Sequence, residues 1–255
     1  MRRLALLTLA LTFAAACGSG GTTAAPPTSV ATSSPPPTPT TVSPTPSPTF
    51  CPNPDGGPAN LCLGDLAAGT YHTKNFRPGL RYTLPKGWAN MEDLEGNFLL
   101  IPPGATLEGV NPGTSDYVGV YTSVVVPDHC GGHASASVPF TWGALVNWIE
   151  SNPRMNVENV HNVSVGGLNG VVMDLSMKSP KGDGCSGGVW ADMYVGLSPS
   201  SLVHSVTKTV SARIYLLKNR SHALAIEVSD ASPKGSNYKD WYAAAEPVVQ
   251  SFKFG

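Results

Sequence analysis

A proline-rich stretch from residue 22 to residue 50 sets the first limit on how this chain of 255 residues folds. Its 29 residues include nine prolines, nine threonines and five serines, and none of them is charged. A segment with so few apolar side chains cannot bury enough surface to offset the entropy lost on ordering, so it forms no core. We expect a disordered linker that reaches roughly 90 Å if fully extended at about 3.1 Å per residue.

A targeting segment precedes this linker. Arg2 and Arg3 are followed by an apolar stretch from Leu4 to Phe13 and by three alanines before Cys17. This order is typical of a secretory signal, and the stretch is too short to span a bilayer. The segment resembles the lipobox of bacterial lipoproteins, with Ala14 in the place where leucine is commonest. We therefore expect cleavage after Ala16 and lipid attachment to Cys17. The alternative is ordinary cleavage that leaves Cys17 as an unpaired thiol.

Three regions follow from this reading: a lipoprotein signal peptide (1–16), a lipid anchor with a disordered Pro/Thr/Ser-rich linker (17–50), and a single extracytoplasmic domain (51–255). Acyl chains such as palmitate, at about 0.8 kcal/mol for each buried methylene, would hold the protein on the cell membrane. We expect the membrane, reached through this N-terminal lipid, to be one partner. The chain has 16 basic and 17 acidic residues with no basic patch, so nucleic acid is not expected as a partner.

The remaining cysteines predict covalent cross-links. An even number in an exported protein indicates two disulfides, for which three connectivities exist. The four residues are Cys51, Cys62, Cys130 and Cys185. We favour Cys51 with Cys62, because both border one Pro/Gly-rich segment, and Cys130 with Cys185. Loop-closure entropy suggests a stabilisation of about 3 kcal/mol for the first and about 4 kcal/mol for the second.

Hydrophobic periodicity predicts about eight strands and two helices in the domain. Thr141 is expected to cap a helix in which Trp142, Leu145, Val146 and Ile149 share one face. A second helix is expected after Ser236, interrupted by Pro247. The predicted strands are Tyr71 to Phe76, Leu80 to Leu84, Asn97 to Ile101, Tyr117 to Val126, Val157 to Val165, Val171 to Met177, Val189 to Leu197, Arg213 to Leu217 and Ala223 to Val228. Since no βαβ alternation occurs, we expect an α+β fold, an antiparallel sheet covered by two helices.

Several short motifs carry a resemblance to a known fold. The sequence Leu84-Pro85-Lys86-Gly87-Trp88, the helix in the middle of the chain and a terminal helix ending at Val248 to Phe254 resemble the PsbP-like fold, including LpqN-type actinobacterial lipoproteins. The segments Gly96 to Leu100 and Val165 to Val171 are similar to uncharacterised secreted domains of the same bacteria. The resemblance implies a PsbP-like layer in a non-enzymatic domain, and it carries over no catalytic residues.

One motif raises the alternative of a secreted serine hydrolase. Residues 184–188 satisfy the pattern G-x-S-x-G around Ser186, and His129 and Asp174 would complete a triad. A nucleophile elbow needs a strand before the serine and a helix after it. Here a Pro/Gly-containing loop precedes Ser186 and a predicted strand follows, so an enzyme is the weaker hypothesis.

Metal and cofactor sites are not expected. His129 and His133 lie four residues apart beside Asp128, but that spacing brings two side chains together only on a helix, and Gly131 and Gly132 lie between them. A structural zinc site would also need thiolates that the disulfides remove. We expect no bound cofactor.

Glycine- and proline-rich loops offer a candidate binding rim. The loops at 104–116, 127–139 and 179–188 would meet if a disulfide joins Cys130 to Cys185, and loops on a rigid sheet often carry binding sites. The candidate rim residues are Tyr117, His129, His133, Trp190 and Tyr194, although packing in the core is the more usual role for the three aromatic residues. The expected function is a binding or adaptor module in the cell envelope for an unknown protein, glycan or lipid. A passive structural envelope component is the alternative.

Overall fold

The computed structural model describes residues 49–50, 64–103, 116–128, 132–178, 190–197, 202–231 and 238–255. All of them belong to one unit of the chain, Thr45–Gly255, whereas the other unit, Met1–Pro44, lies outside the described residues. The lipobox, most of the linker and all five cysteines also lie outside, so the predictions made for them stay predictions. Among the helices of the described part, none is long and apolar enough to cross a membrane.

The described residues form mainly antiparallel strands. In chain order the strands are β1 (Thr49–Phe50), β2 (Gly64–Asp65), β3 (Gly69–His72), β4 (Leu80–Leu84), β5 (Ala89–Asp93), β6 (Asn97–Ile101), β7 (Tyr117–Val125), β8 (Met155–Val165), β9 (Leu168–Met177), β10 (Trp190–Gly196), β11 (Leu202–Thr207), β12 (Ser211–Asn219), β13 (His222–Asp230) and β14 (Lys253–Phe254). Helix α1 (Trp142–Ser151) lies between β7 and β8, and α2 (Tyr238–Gln250) lies between β13 and β14.

These strands form two sheets. In the large sheet the order is β2-β5-β6-β7-β13-β12-β9-β8, and β10 pairs with the end of β7 and with β11. The small sheet has the order β1-β3-β4-β14, in which β1 runs parallel to β3 and the other neighbours are antiparallel. Tight turns set the register: Gly166 (φ 60°) and Gly167 (φ 88°) join β8 to β9, where Val165 pairs with Leu168. Positive φ at both positions is what a two-residue hairpin turn requires.

Both faces of the inner strands of the large sheet are buried, against different elements. Because successive residues of a strand point to opposite faces, Ile226 and Val228 of β13 pack with α2 and the small sheet, whereas Ala225 faces α1 and the β10–β11 hairpin. Strand β6 shows the same division, with Phe98 and Leu100 in the first cluster and Leu99 in the second. A sheet packed on both sides explains why such strands are nearly continuous in apolar residues.

The two helices follow the predicted sequence signals. The Thr141 side chain accepts a hydrogen bond from the backbone N–H of Ala144, and Leu145, Val146 and Ile149 are buried, which confirms the predicted first helix. The second helix buries Tyr242, Ala245, Val248 and Val249, and Pro247 lies inside it.

The expected α+β layer, a sheet covered by two helices, is wrong. The helices have 10 and 13 residues and lie on opposite faces of the large sheet. Much of each face is covered instead by other strands, the small sheet on one side and the β10–β11 hairpin on the other. The prediction missed several strands for a physical reason. Short strands such as β2, β11 and β14 carry too few apolar residues to be recognised in the sequence, because their strand conformation depends on pairing with neighbouring strands.

Asp93 joins the turn after β3 to the large sheet. Its buried carboxylate accepts hydrogen bonds from the backbone N–H groups of Lys74 (2.6 Å), Asn75 (3.1 Å) and Phe76 (2.8 Å). Three donors satisfy a charge that would otherwise be costly to bury. This contact holds the β3–β4 turn beside β5.

Candidate functional site

A groove lies between helix α2 and the edge strand β8. Its volume is about 430 Å³, and it is half open to solvent. Helix α2 contacts β13 in the large sheet and β4 in the small one, and the groove separates it from β8. The lining residues come from β8, β9, β12 and α2: Asn159, His161, Val163, Val172, Asp174, Arg213, Tyr215, Ala243 and Glu246.

An ion pair lies at the polar centre of the groove. Asp174 of β9 and Arg213 of β12 are cross-strand neighbours. The Nε atom of Arg213 donates to Oδ1 of Asp174 at 2.7 Å, and Nη2 donates to Oδ2 at 3.0 Å. The hydrogen bond to Asp174 raises the pKa of Arg213 and outweighs burial, which lowers it. Such a two-point contact fixes the plane of the guanidinium group.

Glu246 forms the helix side of the groove. Its carboxylate accepts hydrogen bonds from the Tyr215 hydroxyl and, at 2.7 Å, from Nε2 of Gln250. Burial, followed by this bond to Glu246, raises the pKa of Tyr215 above its ordinary range. Oε2 of Glu246 lies 4.0 Å from Nη1 of Arg213. The Arg213 guanidinium also lies 4.9 Å from the ring centre of Tyr242, a cation–π contact that adds to its fixed position.

A β-bulge in β8 forms the opposite side. Glu158 pairs with Asp174 and His161 pairs with Val172, so β8 has one extra residue between these positions. Asn159 lies in the bulge with φ 54° and donates from Nδ2 to Oδ2 of Asp174 at 2.8 Å. Nδ1 of His161 lies 2.6 Å from the carbonyl oxygen of Asn159. Bulges of this kind redirect side chains, here an amide and an imidazole beside the groove.

A second polar cluster is buried on the other face of the large sheet, around Glu227. Its Oε1 accepts a hydrogen bond from the Tyr117 hydroxyl at 2.6 Å. Its Oε2 accepts one from the Tyr194 hydroxyl and lies 2.8 Å from Nδ1 of His204. Burial by itself would raise the pKa of Glu227, but the charge of His204 and the hydrogen bonds from His204 and both tyrosines outweigh it and hold this pKa below its ordinary value.

Aromatic rings enclose this cluster. The His204 ring stacks on Tyr194 at 4.6 Å between centres and lies 4.1 Å from the ring of Tyr121. Tyr121 reaches this place because Gly119 has no side chain: a Cβ there would lie 2.6 Å from Cζ of Tyr121. Burial raises the pKa values of the tyrosine hydroxyls. The members of the cluster are at most 3% exposed, so a ligand cannot reach them. Their contacts hold the β10–β11 hairpin against the large sheet.

The predicted rim residues lie in different places. The side chains of Tyr117 and Tyr194 are buried in the Glu227 cluster, because the hairpin covers them, and so they face no rim. Trp190 is 39% exposed, and its carbonyl accepts a hydrogen bond from Arg154. His133 is exposed, and its carbonyl accepts one from the backbone of Asp128. His129 and most of the rim loops lie outside the described residues, so a binding surface there stays a prediction.

Of the three residues of the hypothetical catalytic triad, Asp174 alone lies in the described part of the chain. Asp174 is engaged with Arg213 and Asn159, while Ser186 and His129 lie outside the described residues. Within the described ranges, no group of three or more His, Cys, Asp or Glu side chains is placed to hold a metal ion.

Sequence reasoning missed the groove. Its polar residues are up to 87 positions apart in the chain, from Asn159 to Glu246, and no local motif connects them. A signal was present, however, in charged residues within apolar strands: Asp174 follows Val171-Val172-Met173, and Arg213 precedes Ile214. Buried charges of this kind need partners, and the partners define the site.

Comparison with known proteins gives a distant structural similarity and no match of sequence family. No protein-family model matches the chain, and no curated protein matches it. The solution structure of cyanobacterial PsbP (CyanoP) from Synechocystis sp. PCC 6803 is similar over 78% of this chain and 100% of that chain, with 13% sequence identity and a TM-score of 0.32. At this TM-score and identity, nothing about the ligand or partner of this chain follows from the likeness to PsbP.

Proposed function

We propose that this protein is a lipid-anchored extracytoplasmic binding module of the cell envelope, with the groove between α2 and β8 as its ligand site. The observation that carries the proposal is the groove itself. Its volume of about 430 Å³ lies within the roughly 300–1,000 Å³ of small-molecule sites, and its lining combines polar and charged groups with three apolar side chains.

Preorganisation of the groove supports binding. Asp174, Arg213 and Asn159 are connected by three hydrogen bonds of 2.7 to 3.0 Å, so their positions do not depend on a ligand. A site whose polar groups are already fixed loses little side-chain entropy when a ligand binds. The same contacts would make the groove selective, because groups held in this way cannot rearrange for a poorly matched molecule.

The predicted anchor and linker fit such a module. Lipid on Cys17 would keep the domain at the membrane, while a linker of up to roughly 90 Å would let it reach partners within the envelope. A glycan, a lipid head group or a peptide segment of an envelope protein each has a size that the groove accepts.

The test uses two phenylalanine substitutions on neighbouring exposed alanines of α2. Ala243 lines the groove and Ala244 does not. We expect Ala243→Phe to fill the groove and abolish crosslinking to partners in intact cells, whereas Ala244→Phe keeps the wild-type pattern. Mass spectrometry of the crosslinked material reads the result. Equal patterns for both variants would contradict the proposal and would favour a passive structural component.

A further inference from the structure

Two charged groups in the groove are spaced for a bridging ligand atom. Nη1 of Arg213 and Oε2 of Glu246 are 4.0 Å apart, too far for a hydrogen bond, and their side chains are 24% and 38% exposed. An atom within about 2.8 Å of both must accept a hydrogen bond from the guanidinium and donate one to the carboxylate. A hydroxyl group does both, whereas a carboxylate only accepts and an ammonium only donates.

Charges of both signs lie close together in the groove, so an ionic ligand of either sign meets a like charge. Asp174 and Glu246 provide two carboxylates around one guanidinium, so an anionic ligand near Arg213 also meets both negative groups. A cationic ligand beside Glu246 also meets the guanidinium of Arg213, which is always charged. Because like charges at such short distances repel strongly in a partly buried site, a neutral ligand is the best match.

Apolar side chains lie beside the charged groups of the groove. Val163, Val172 and Ala243 contribute side chains next to the Asp174–Arg213 pair, so hydrocarbon and hydrogen-bonding surface alternate over a few ångströms. Across the groove, the amide of Asn159 and the imidazole of His161 offer further polar contacts. A ligand that fits must present hydroxyl groups and C–H faces side by side.

We infer that the groove binds a neutral, hydroxyl-rich ligand, a carbohydrate unit of one or two rings, with one hydroxyl bridging Arg213 and Glu246. This inference rests on the proposed binding function and names its ligand class. The sugar could be a free oligosaccharide or the head group of a glycolipid, because both present the same hydroxyl chemistry to the groove.

The test monitors the methyl groups of Val163, Val172 and Ala243 by NMR in protein labelled with ¹³C in its methyl groups. The probes are the methyl glycosides of glucose, galactose, mannose and N-acetylglucosamine, with glucuronate and glucosamine as charged counterparts. We expect at least one neutral glycoside to shift these three methyl groups, and the charged sugars to bind about tenfold more weakly. Glycolipid in detergent micelles, compared with the free glycoside, distinguishes the two sources.

Two variants test whether binding depends on the hydroxyl group that bridges Arg213 and Glu246. Glu246→Ala is expected to weaken the effective glycoside by about tenfold or more, because the bridging hydroxyl loses its acceptor. Glu150→Ala, an exposed change on α1 at the other face of the sheet, is the control and is expected to leave affinity unchanged. Unchanged methyl spectra away from the groove establish that each variant is folded.

The outcomes distinguish this inference from the proposed function. Shifts caused only by the charged sugars would overturn the neutral ligand but keep the groove as a binding site. An absence of shifts with every sugar would overturn the carbohydrate inference, whereas the comparison of Ala243→Phe with Ala244→Phe in cells decides the binding function independently. Full affinity in Glu246→Ala would overturn the bridging hydroxyl.

Discussion

At the scale of single residues, Glu227 is the group whose surroundings most constrain the interior. Its side chain is only 3% exposed, and its two oxygens are engaged by Tyr117, Tyr194 and His204. A buried charge is tolerated only where partners replace water, so each of these contacts matters to the carboxylate. Conversely, the three partners have their polar atoms turned towards Glu227, and a neutral residue there would leave them poorly satisfied.

We expect Glu227→Gln to lower the free energy of unfolding at pH 7 by about 3 kcal/mol, because it removes the buried carboxylate that Tyr117, Tyr194 and His204 contact. Urea denaturation gives the value. Glu150→Ala, on the exposed side of α1, serves as the control and should change stability by no more than about 0.5 kcal/mol. A loss below about 1 kcal/mol for Glu227→Gln would mean that the cluster does not depend on the charge.

We also expect the difference in unfolding free energy between wild type and Glu227→Gln to depend on pH. The folded-state pKa of Glu227 is lowered from its ordinary value of 4.5, so its stabilisation is fully present above that value and is lost as the pH falls through the folded-state pKa. Other carboxyl groups titrate in both proteins and largely cancel in the difference. The stability gap between wild type and Glu227→Gln should therefore narrow as the pH falls below about 4.5. A gap that widens in acid would contradict this sign.

At the scale of elements, the bulge in β8 determines the shape of the groove. Asn159 adopts φ 54°, a conformation that asparagine accepts more readily than most residues other than glycine. Its amide then contacts Asp174, which positions Arg213 in turn. An extra residue in an edge strand also makes that edge less able to pair with a strand of another chain.

Two substitutions at Asn159 distinguish the effect of its backbone conformation on stability from the effect of its side-chain amide. Asn159→Gly keeps the backbone conformation and removes the amide, whereas Asn159→Ala removes the amide and also strains the backbone. We expect Ala to be more destabilising than Gly by about 1 kcal/mol in urea denaturation. The reverse order would show that the bulge is not maintained in the variants.

At the scale of the whole molecule, the proposed position in the envelope depends on Cys17. Under the proposed lipid anchor, Cys17→Ser leaves no thiol for acylation. We expect the variant to be released into the medium or to remain unprocessed, because the linker and domain alone have no comparable affinity for a bilayer. Fractionation of cells and mass spectrometry of the N-terminus measure both results. Unchanged, processed protein in the membrane fraction would overturn the lipid anchor.

The local signals in the sequence predict some elements well. Thr141 and the spacing of Leu145, Val146 and Ile149 predict α1, because a cap and a helical stripe are short-range features. The apolar runs of β4, β6, β12 and β13 are likewise recognisable. Strands β5 and β11 are not recognisable in the sequence, because polar residues such as Asn90, Glu92 and His204 interrupt the alternation of apolar residues. Asn90 and His204 have hydrogen-bond partners on other strands, and these partners are known only from the folded structure.

The amino-acid sequence by itself predicts that residues 22–50 build no core, since composition decides how much surface a segment can bury, whereas the structure places the last two of these residues in strand β1. It also determined where α1 begins, since capping acts over three residues. Only the tertiary structure decided that Asp174, Arg213 and Glu246 meet in one groove, and that Tyr117 and Tyr194 turn inward to Glu227. Those contacts depend on strand order and register, which arise from packing across the whole sheet and leave no short-range pattern in the chain.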